Sequence, residues 1–345
     1  MRIAQIMAGA KTGGAEGFYE RLTIGLHKAG EDVLPVIRRD PARAARLAVQ
    51  GLVPVQLGFG GPLDVLTRPR LSLLLRHHRP QVAIAWMNRA ARHTPSGDWT
   101  LLGRLGGYYD LKYYRRCDHL VGNTRDLVRW MVEKGWPAER AHYLPNFAEN
   151  FSGLLPAELP STEGAPKLLA LGRLHSNKGF DILLRALALL PGAELAIGGD
   201  GPEKAALQKL AQELGVAPRV HFLGWRQDAG ALLAACDIFV CSSRHEPLGN
   251  VVLEAWSAGK PVVALAAQGP SELIEDGRTG LLVPPEAPEP LASSIRGLLA
   301  DPARAAMLGA AGRARWEAEY AEEPVLARWR ETLTRVAATP GRKGG

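Results

Sequence analysis

Two glutamates in the second half of the chain have a spacing that suits the binding of a charged ligand. Glu246 and Glu254 lie eight residues apart in "HEPLGNVVLEAWSAGKP". The apolar periodicity after Asn250 predicts a helix, and Gly259 followed by Pro261 predicts where it ends. Glu246 is therefore expected on the loop before the helix and Glu254 one turn inside it, so the two carboxylates flank a helix N-terminus.

The start of this helix is predicted to bind an anion. The first backbone N–H groups of a helix have no intrahelical acceptor and attract negative charge. Beside that anion, Glu246 can accept hydrogen bonds from sugar hydroxyls and Glu254 from ribose hydroxyls. This pattern favours a nucleotide-diphospho-sugar as the ligand. The loop and helix start add four donor-binding candidates: Leu248, Gly249, Asn250 and Val251.

Two cations earlier in the chain suit the same ligand. Arg173 and Lys178 stand in "LALGRLHSNKGFDILL", at the predicted end of a strand and start of a helix. Positive charges beside a helix N-terminus can neutralise a diphosphate leaving group in place of a metal ion. Arg173, Lys178 and Glu246 are therefore the predicted catalytic residues, and no metal ligand is predicted.

A glycine-rich stretch near the start, "MAGAKTGGAEG", is a further anion-binding candidate. It is not a Walker loop, because Lys11 and Thr12 precede the glycine pair, and its spacing does not match GxGxxG. Gly13 and Gly14 nevertheless lie between a predicted strand and a helix start, where the backbone can approach a diphosphate. An ordinary tight turn is the alternative interpretation.

The elements that would hold these residues alternate between strand and helix along the chain. In the first part, strands are predicted in "RIAQIMA", "DVLPVI", "PVQLGF", "VAIAWM" and "HLVGNT", and helices over stretches such as 63–78 and 124–134. In the second part the alternation runs from "LLALGRL" to "GLLVP". The fold class is therefore predicted as α/β, with two Rossmann-like, doubly wound domains that face each other across a cleft.

The alternation breaks at a stretch rich in Pro, Gly and Ser, which is typical of a linker. Residues 1–150 are predicted as an N-terminal acceptor domain, 151–166 as the linker and 167–320 as a donor domain. Residues 321–345 are expected to pack as a helix back toward the first domain and to end in a frayed tail, "TPGRKGG". Hinge motion is expected near 144–167 and 318–325.

Bulk composition predicts a globular protein of a reducing compartment. Three cysteines, Cys117, Cys236 and Cys241, form no even disulfide set, and the last two bracket an apolar run typical of core thiols. No apolar run reaches the roughly 18 residues of a membrane span, and the first residues lack a cleavage pattern. A cytoplasmic location is expected.

The net charge of +7 is unevenly distributed. Residues 1–150 hold 22 Lys and Arg against 13 Asp and Glu, which gives +9 and leaves −2 for the remainder. Basic residues alternate with leucines over 66–80 and with tyrosines in "YYDLKYYRR". The acceptor candidates are Arg89, Tyr108, Tyr109 and Lys112. The first domain is expected to prefer an anionic partner: a phosphorylated acceptor, an acidic glycan or an anionic membrane surface. A solvated helix face is the alternative. Nucleic acid is not predicted, because no binding motif accompanies the charge.

Several of these stretches resemble the retaining glycosyltransferases of family 4, which have the GT-B fold. "EPLGNVVLE" matches the E-x7-E motif of that family, and "GRLHSNKG" is similar to its phosphate-binding element. "IGGDGPEKAALQKLA", "AGKPVVA", "EDGRTGLLVPP" and "TGGAE" also resemble its usual stretches. The resemblance is strong over 167–285 and weaker over 30–140, where acceptor specificity is expected.

The resemblance implies transfer of a sugar from a nucleotide donor with retention of configuration and without a catalytic metal or other cofactor. The absence of a D-x-D motif agrees with this. By resemblance, Arg173 and Lys178 bind the diphosphate, Glu254 the ribose and Glu246 the donor sugar. The basic first half of the chain favours as acceptor a glycan or lipid-linked glycan of lipopolysaccharide or capsular polysaccharide assembly, reached from the inner face of the cytoplasmic membrane.

One departure concerns a histidine that family members often carry near the donor sugar. In the matching region, "LGRLGGYYDLKYYRR", Gly106 occupies that place. His93 or His119 could substitute for it, although surface or capping roles are the simpler interpretation. A nucleotide-sugar epimerase or hydrolase and a non-catalytic glycolipid-binding scaffold are the alternative functions. Trp225 is the candidate for contact with the donor base, whose identity stays open.

Overall fold

The computed structural model describes residues 1–11, 13–60 and 64–338, and the chain divides into two units. The first unit contains Met1–Asn146 and the segment from Glu322 onward, and the second contains Phe147–Ala321. Leu63, the first residue of the helix predicted over 63–78, and the predicted frayed tail lie outside the described residues.

The strands of the first unit are β1 (Arg2–Met7), β2 (Asp32–Arg38), β3 (Val55–Leu57), β4 (Val82–Trp86), β5 (Thr100–Arg104), β6 (His119–Gly122) and β7 (Ala141–Tyr143). Those of the second unit are β8 (Lys167–Leu171), β9 (Glu194–Gly198), β10 (Val220–Gly224), β11 (Ile238–Cys241), β12 (Val262–Leu265) and β13 (Leu281–Val283).

The helices up to Asn146 are α1 (Gly14–Lys28), α2 (Pro41–Val49), α3 (Thr67–His78), α4 (Met87–His93) and α5 (Arg125–Glu133). Those of the second unit are α6 (Phe180–Ala188), α7 (Lys204–Glu213), α8 (Ala229–Ala235), α9 (Asn250–Ser257), α10 (Gln268–Leu273), α11 (Pro288–Ala300) and α12 (Pro302–Glu319), and α13 (Glu322–Ala337) returns to the first unit. Short 3-10 turns cover Leu111–Tyr114, Ala138–Arg140, Ser176–Lys178 and Ala217–Arg219.

Each unit contains a parallel, doubly wound sheet, as predicted. The strand order is β3-β2-β1-β4-β5-β6-β7 in the first and β10-β9-β8-β11-β12-β13 in the second. In each sheet the chain first adds strands on one side of the unit's first strand and then crosses to its other side. This reversal of strand order lies between β1 and β4 in the first unit and between β8 and β11 in the second. In open parallel sheets, ligands bind at the carboxyl ends of strands at such a reversal, so these two positions are where functional residues are expected.

The first sheet is buried on both faces, and its helices close over it. β4 has no exposed residue, and a T-shaped pair joins the Trp86 ring to Tyr19 of α1 with centroids 5.5 Å apart. Trp329 of α13 stacks on Trp86 at 6.5 Å. Trp86 thus connects α1 and α13, and α13 is part of this core.

The sequence prediction missed β5. Its residues, Thr100 to Arg104, form a fully buried strand between β4 and β6. The sequence "TLLGR" is only five residues long and contains Gly103 and an arginine, so it lacks the apolar run that marked the other strands. Gly103 lies beside Tyr114, Leu120 and Cys117, where a methyl group would come within 3 Å of all three side chains.

The predicted linker does not stand free of the second unit. The boundary between the units falls after Asn146, and residues 151–166 lie inside the second one. Ala157 N donates to Ala231 O at 2.9 Å and Thr162 N to Glu194 Oε1 at 2.9 Å. The composition of this segment correctly predicted irregular backbone. The segment is nevertheless hydrogen-bonded to the second unit and does not form a free linker.

Candidate functional site

The loops that follow β8 and β11 bring the predicted cations and carboxylates of the second unit together. Lys178 ends the 3-10 turn after β8, and Glu246 lies in the loop between β11 and α9. Because β8 and β11 are the neighbours at which the strand order reverses, both residues stand at the ligand-binding edge of this sheet.

Lys178 and Glu246 form an ion pair between their ammonium and carboxylate groups. Ser243 Oγ donates to the same oxygen, Glu246 Oε2, at 3.3 Å. Burial by itself would lower the pKa of Lys178, but the charge and hydrogen bond of Glu246, together with the charge of Glu254, outweigh burial and the pKa is raised. Lys178 is therefore a cation at neutral pH, held within a cluster of both predicted glutamates.

Arg244 fastens these two loops to each other. It makes a bidentate ion pair with Asp181, with N···O distances of 2.6 and 2.7 Å, and a second one with Glu286 at 2.5 and 2.9 Å. Its backbone N–H donates to Asn177 O at 2.8 Å. The carboxylates and hydrogen bonds raise the pKa of Arg244. Sequence reasoning missed this residue, because its partners are distant in the chain.

Two glycines permit the close approach of these loops. Gly179 has φ +60°, and a methyl group on it would overlap the carbonyl oxygen of Ser242. Ser242 Oγ donates to Lys178 O at 2.9 Å. On the other side of the loop, a methyl group on Gly269 would overlap the backbone of Leu248, and Gly269 N donates to Glu246 O at 2.7 Å. The position of Glu246 thus depends on backbone packing on both sides.

The helix that follows begins as predicted. Gly249, with φ +82°, precedes α9, and its carbonyl accepts from Val252 N at 2.9 Å. Glu254 is half-buried in the second turn, so the helix start lies between it and Glu246 along the chain. Asn250 and Val251 form the first turn, while the side chain of Leu248 is buried. Leu248 can therefore offer only its backbone to a ligand.

The remaining donor candidates of the second unit are less enclosed. Arg173 follows β8 and its side chain is accessible to solvent. In the described part of the chain, no carboxylate lies within ion-pairing distance of it. Trp225 follows β10 with 63% of its side chain exposed. β10 is two strands from β8 at the edge of the sheet, so Trp225 lies at the correct edge but away from Lys178.

The glycine-rich loop of the first unit lies over a buried carboxylate. Glu16, in the first turn of α1, is 7% exposed and accepts from Ala10 N at 2.8 Å. Methyl groups on Gly9 or Gly13 would overlap its carboxylate oxygens. Gly13 and Gly14 themselves are exposed at the start of α1. The glycines thus serve two purposes, since they accommodate Glu16 beneath the loop and leave the backbone above it accessible.

A buried arginine lies beside this loop, and the sequence analysis had not selected it. Arg104 ends β5 with 1% exposure and stacks over the rings of Trp86 and Phe18 at 4.9 and 5.6 Å. Its Nη2 donates to Asn146 Oδ1 at 2.6 Å, while Nε and Nη1 have no hydrogen-bond partner among the described residues. Burial lowers its pKa to about 10, so it stays charged at neutral pH.

Gly106 lies over this guanidinium. A methyl group on Gly106 would come within 2.9 Å of Arg104 Nη1 and 3.7 Å of Ala15 Cβ in α1. The position that holds a histidine in the resembling family therefore borders a fixed positive charge here. The signal in the sequence was an arginine within the apolar stretch "TLLGRLGG", for which no strand had been predicted.

The two histidines considered as substitutes lie elsewhere. His119 begins β6, at the amino edge of the sheet, and hydrogen-bonds His142 with a nitrogen separation of 3.0 Å. Gly106 follows the carboxyl end of β5, so His119 lies at the opposite edge of the sheet and does not substitute for the family's histidine, which agrees with the interpretation preferred from the sequence. His93 packs edge-on against Phe59 at 5.7 Å and lines a separate cavity.

The acceptor candidates divide into two groups. Arg89 and Lys112 line two adjoining surface cavities. Tyr108 donates its hydroxyl to Asp126 and packs on Trp130 at 5.5 Å, so it stabilises α5. Tyr109 is half-buried beside Arg104, where burial raises its pKa. Of the four acceptor candidates, Arg89 and Lys112 therefore line surface cavities, whereas Tyr108 and Tyr109 pack against the core of the first unit.

Three other findings concern the described residues as a whole. The three cysteines are buried and free, as predicted. Within residues 1–11, 13–60 and 64–338, no group of three or more His, Cys, Asp or Glu side chains could hold a metal ion. In the same ranges, none of the helices combines the length and apolar character needed to cross a membrane.

Comparison with known proteins identifies the family. A family model described as Glycosyl transferases group 1 matches residues 154–315. The lipopolysaccharide core biosynthesis glycosyltransferase LpsE of Rhizobium meliloti (strain 1021) is 34% identical over 326 residues, covering 91% of this chain and 94% of LpsE. LpsD of the same organism, also named a lipopolysaccharide core biosynthesis glycosyltransferase, is 33% identical over 345 residues, covering 98% of this chain and 99% of LpsD.

A solved structure agrees at the level of the fold. Anabaena Alr3699/HepE in complex with UDP superposes with a TM-score of 0.82 at 22% identity, covering 97% of this chain and 100% of HepE. The same protein has also been solved with UDP-glucose. By these similarities the chain belongs to the group 1 glycosyl transferases: it is a glycosyltransferase with the GT-B fold.

Proposed function

We propose that the protein transfers a sugar from a UDP- or GDP-sugar to a glycan or lipid-linked glycan of lipopolysaccharide core or related envelope polysaccharide. The observation that carries the proposal is the cluster of Lys178, Glu246 and Glu254 at the strand-order reversal of the second sheet. The acceptor class is supported by the names of LpsE and LpsD, and the donor class by the nucleotides bound to HepE.

In the proposed reaction, the bond between the donor sugar and the β-phosphate oxygen breaks as the acceptor hydroxyl bonds to the same face of the sugar. Both bonding electrons leave with the phosphate, which also takes the proton of the acceptor hydroxyl. Because the new bond forms on the face that the phosphate leaves, the anomeric configuration is retained. Lys178 and Arg173 stabilise the developing negative charge, as does the N-terminus of α9. Glu246 orients the sugar through its hydroxyls, and no metal ion is required.

The pair of Lys178 and Glu246 suits this role before the donor binds. A buried ammonium alone would tend to lose its proton, and the Glu246 carboxylate prevents this. An incoming diphosphate offers a second anion to the same ammonium. As Lys178 turns to the diphosphate, the Glu246 carboxylate becomes free to accept hydrogen bonds from the sugar hydroxyls. The ion pair thus holds both side chains in place for their contacts with the donor.

Titration calorimetry with UDP, GDP and ADP in the presence of EDTA tests the donor site. We expect one nucleotide to bind selectively, and Glu254→Ala to weaken it about tenfold, as for loss of one charge-assisted hydrogen bond. Glu289→Ala removes an exposed acid from α11 of the same unit and should leave affinity unchanged. If none of the three nucleotides binds, the proposed donor site is wrong.

The stereochemistry and metal independence need a separate measurement. With donor and acceptor supplied in EDTA, we expect turnover to persist and the product's anomeric proton coupling to match that of the donor. Turnover restored only by added Mg²⁺ or Mn²⁺ would contradict the metal-free mechanism. An inverted coupling would contradict retention.

Peripheral contact with an anionic membrane is proposed for the face around α3. Leu73 is 71% exposed, and Leu66, just before the helix, is 57% exposed. Arg70 and Arg76 are exposed on the same helix. Apolar side chains among cations favour binding to anionic headgroups. Co-sedimentation with phosphatidylglycerol vesicles should fall with added salt and with Leu73→Ser, and binding insensitive to both would contradict membrane contact.

A further inference from the structure

Two adjoining cavities on the first unit lie outside the proposed donor site. The first, of about 420 Å³, is lined by Arg38, Phe59, Gly60, Asp64, Asn88, Arg89, Arg92, His93 and Tyr113. The second, of about 440 Å³, is lined by Arg68, Arg92, Lys112, Tyr113, Arg115 and Arg116. Arg92 and Tyr113 belong to both and form the wall between them. We refer to the pair as the basic cavities.

The first basic cavity lies at the ligand-binding edge of its sheet. Arg38 ends β2, Gly60 follows β3, and Asn88 and Arg89 follow β4. These strands flank β1, beside which the strand order reverses. A ligand at the carboxyl ends of the strands therefore meets this cavity.

The cations of the first cavity are not neutralised by the protein. In the described part of the chain, no carboxylate lies within ion-pairing distance of Arg38, Arg89 or Arg92. Asp64, the acidic residue of the lining, is engaged elsewhere: it accepts from Gly60 N at 2.6 Å and from Thr67 Oγ1 at 2.6 Å. These hydrogen bonds hold the pKa of Asp64 at about 2. Asp64 is therefore ionised and adds one negative charge to the lining, but the three guanidinium groups of Arg38, Arg89 and Arg92 leave the cavity with a net positive charge.

The second cavity is also lined by cations, of which one has a carboxylate partner. Arg68 and Arg115 have no ion-pair partner among the residues that the structure describes. Lys112 pairs with Asp110 at 2.7 Å, and Arg116 donates to Arg92 O at 3.2 Å. Arg92 of the dividing wall and Lys112 of the second cavity both lie over the ring of Tyr113, at 5.6 and 5.0 Å from its centroid. The wall thus presents one cation, Arg92, toward both cavities.

The backbone around the first cavity is strained. Phe59, in its lining, has φ +44°, and Met87, just before Asn88 and Arg89, has φ +60°. Non-glycine residues in this region cost roughly 1–3 kcal/mol each and persist where the surroundings impose them, most often at functional sites. Met87 turns the chain sharply after β4, and the two lining residues directly follow that turn.

We propose that the basic cavities form the acceptor subsite and bind a glycan that carries two anionic groups, phosphate or carboxylate, one in each cavity. This inference rests on the proposed glycosyltransfer. Each volume lies within the roughly 300–1,000 Å³ of small-molecule sites, so each can hold one charged sugar unit. Their concave shape favours a glycan over a flat membrane surface, and Arg92, which is shared, contacts both anionic groups.

Calorimetry with three related sugars tests the charge requirement. We expect glucose 1,6-bisphosphate to bind, glucose 6-phosphate to bind at least tenfold more weakly and glucose not to bind. Arg92→Gln should weaken the bisphosphate about tenfold, as expected for one charge-assisted contact. Lys28→Gln removes one positive charge from the exposed last turn of α1, at the amino edge of the same sheet, and should have no effect. UDP affinity, measured in parallel, should be the same for both variants.

Each contrary result has a distinct meaning. If UDP binds but the bisphosphate does not, the donor proposal stands and the acceptor subsite is wrong. Equal weakening by Arg92→Gln and Lys28→Gln would mean that only the net charge of the protein matters, and would overturn the inference. If phosphatidylglycerol vesicles lose binding with Arg92→Gln while no soluble sugar phosphate binds, the cavities contact lipid headgroups instead, which also overturns it. Thermal unfolding of each variant excludes misfolding as the cause.

Discussion

Lys178 is the residue on which the proposed chemistry depends most directly. Its ammonium pairs with Glu246 and has a raised pKa. Loss of one such charge-stabilising group typically lowers kcat by about 10²–10³. We expect Lys178→Met to lower kcat/KM by this factor, measured by initial rates, while Lys209→Met on the exposed face of α7 has no effect. Activity of Lys178→Met within threefold of wild type would contradict the assignment.

Arg104 offers a test that separates function from stability. Its Nε and Nη1 are buried without partners among the described residues, which costs stability, and the stacking of its guanidinium on Trp86 and Phe18 offsets only part of that cost. Replacing a poorly satisfied buried charge by an apolar residue is often neutral or stabilising by about 1–4 kcal/mol. We expect Arg104→Met to keep or raise Tm, by calorimetry, and to lower kcat, because it removes the positive charge that borders Gly106 at the carboxyl edge of the sheet.

The opposite pattern would assign Arg104 to the core alone. A Tm lowered by several degrees with unchanged kcat would mean that the guanidinium serves Asn146 and not the reaction. Arg104→Lys is the matched control, since it keeps a charge but not the planar fork that stacks on Trp86. A partial recovery of kcat by lysine would indicate that charge is the property needed.

At the scale of elements, Gly179 connects the loop that carries Lys178 to β11. With φ +60° and a methyl group overlapping Ser242 O, Gly179→Ala has both backbone strain and a backbone clash. Gly192→Ala, with φ +81° and no atom within 4 Å of the added methyl group, has strain alone. We expect Gly192→Ala to lower the free energy of unfolding by about 1 kcal/mol and Gly179→Ala to lower it by at least twice as much, measured by urea unfolding. Equal losses would contradict the close packing of the two loops.

The contact between β6 and β7 predicts a pH dependence of stability. Burial lowers the pKa of His119, and burial with the charges of His119 and Arg335 lowers that of His142 to about 4. Between pH 4 and 6.5 the unfolded chain therefore binds more protons than the folded one, so stability falls as pH is lowered through this window. Between pH 7 and pH 5 we expect the free energy of unfolding of the wild type to fall by an amount on the order of 1–3 kcal/mol. His142→Asn should remove this decrease, measured by urea unfolding at the two pH values. An unchanged pH slope would contradict the pairing.

The elements show how far the sequence alone could lead. The parallel sheets, the loop position of Glu246 and the helix containing Glu254 followed from periodicity and from turn residues, which are local signals. The role of Arg244 and the burial of Arg104 did not follow, because each depends on partners brought together by the sheets. The packing of 151–166 was missed for a related reason: composition predicts irregular backbone but carries no information about what contacts it.

At the scale of the whole molecule, α13 belongs to the first unit although it follows the second in the chain. Trp329 is fully buried and stacks on Trp86. We expect Trp329→Ala to cost about 3–5 kcal/mol and to act on the first unit. Hydrogen exchange should speed up in residues 1–146 while residues 147–321 stay protected. Glu331→Ala, exposed on the same helix, is the control, and uniform acceleration would contradict a local effect.

This return of α13 has a consequence for biosynthesis. The sheet of the first unit is complete once residue 146 has been made, yet the helix that covers Trp86 is encoded after Ala321. At about 5–20 residues per second, the ribosome needs roughly 10–35 s to cover that distance. For this interval the nascent first unit exposes an uncovered tryptophan surface, so it is the part of the chain that would engage a ribosome-associated chaperone.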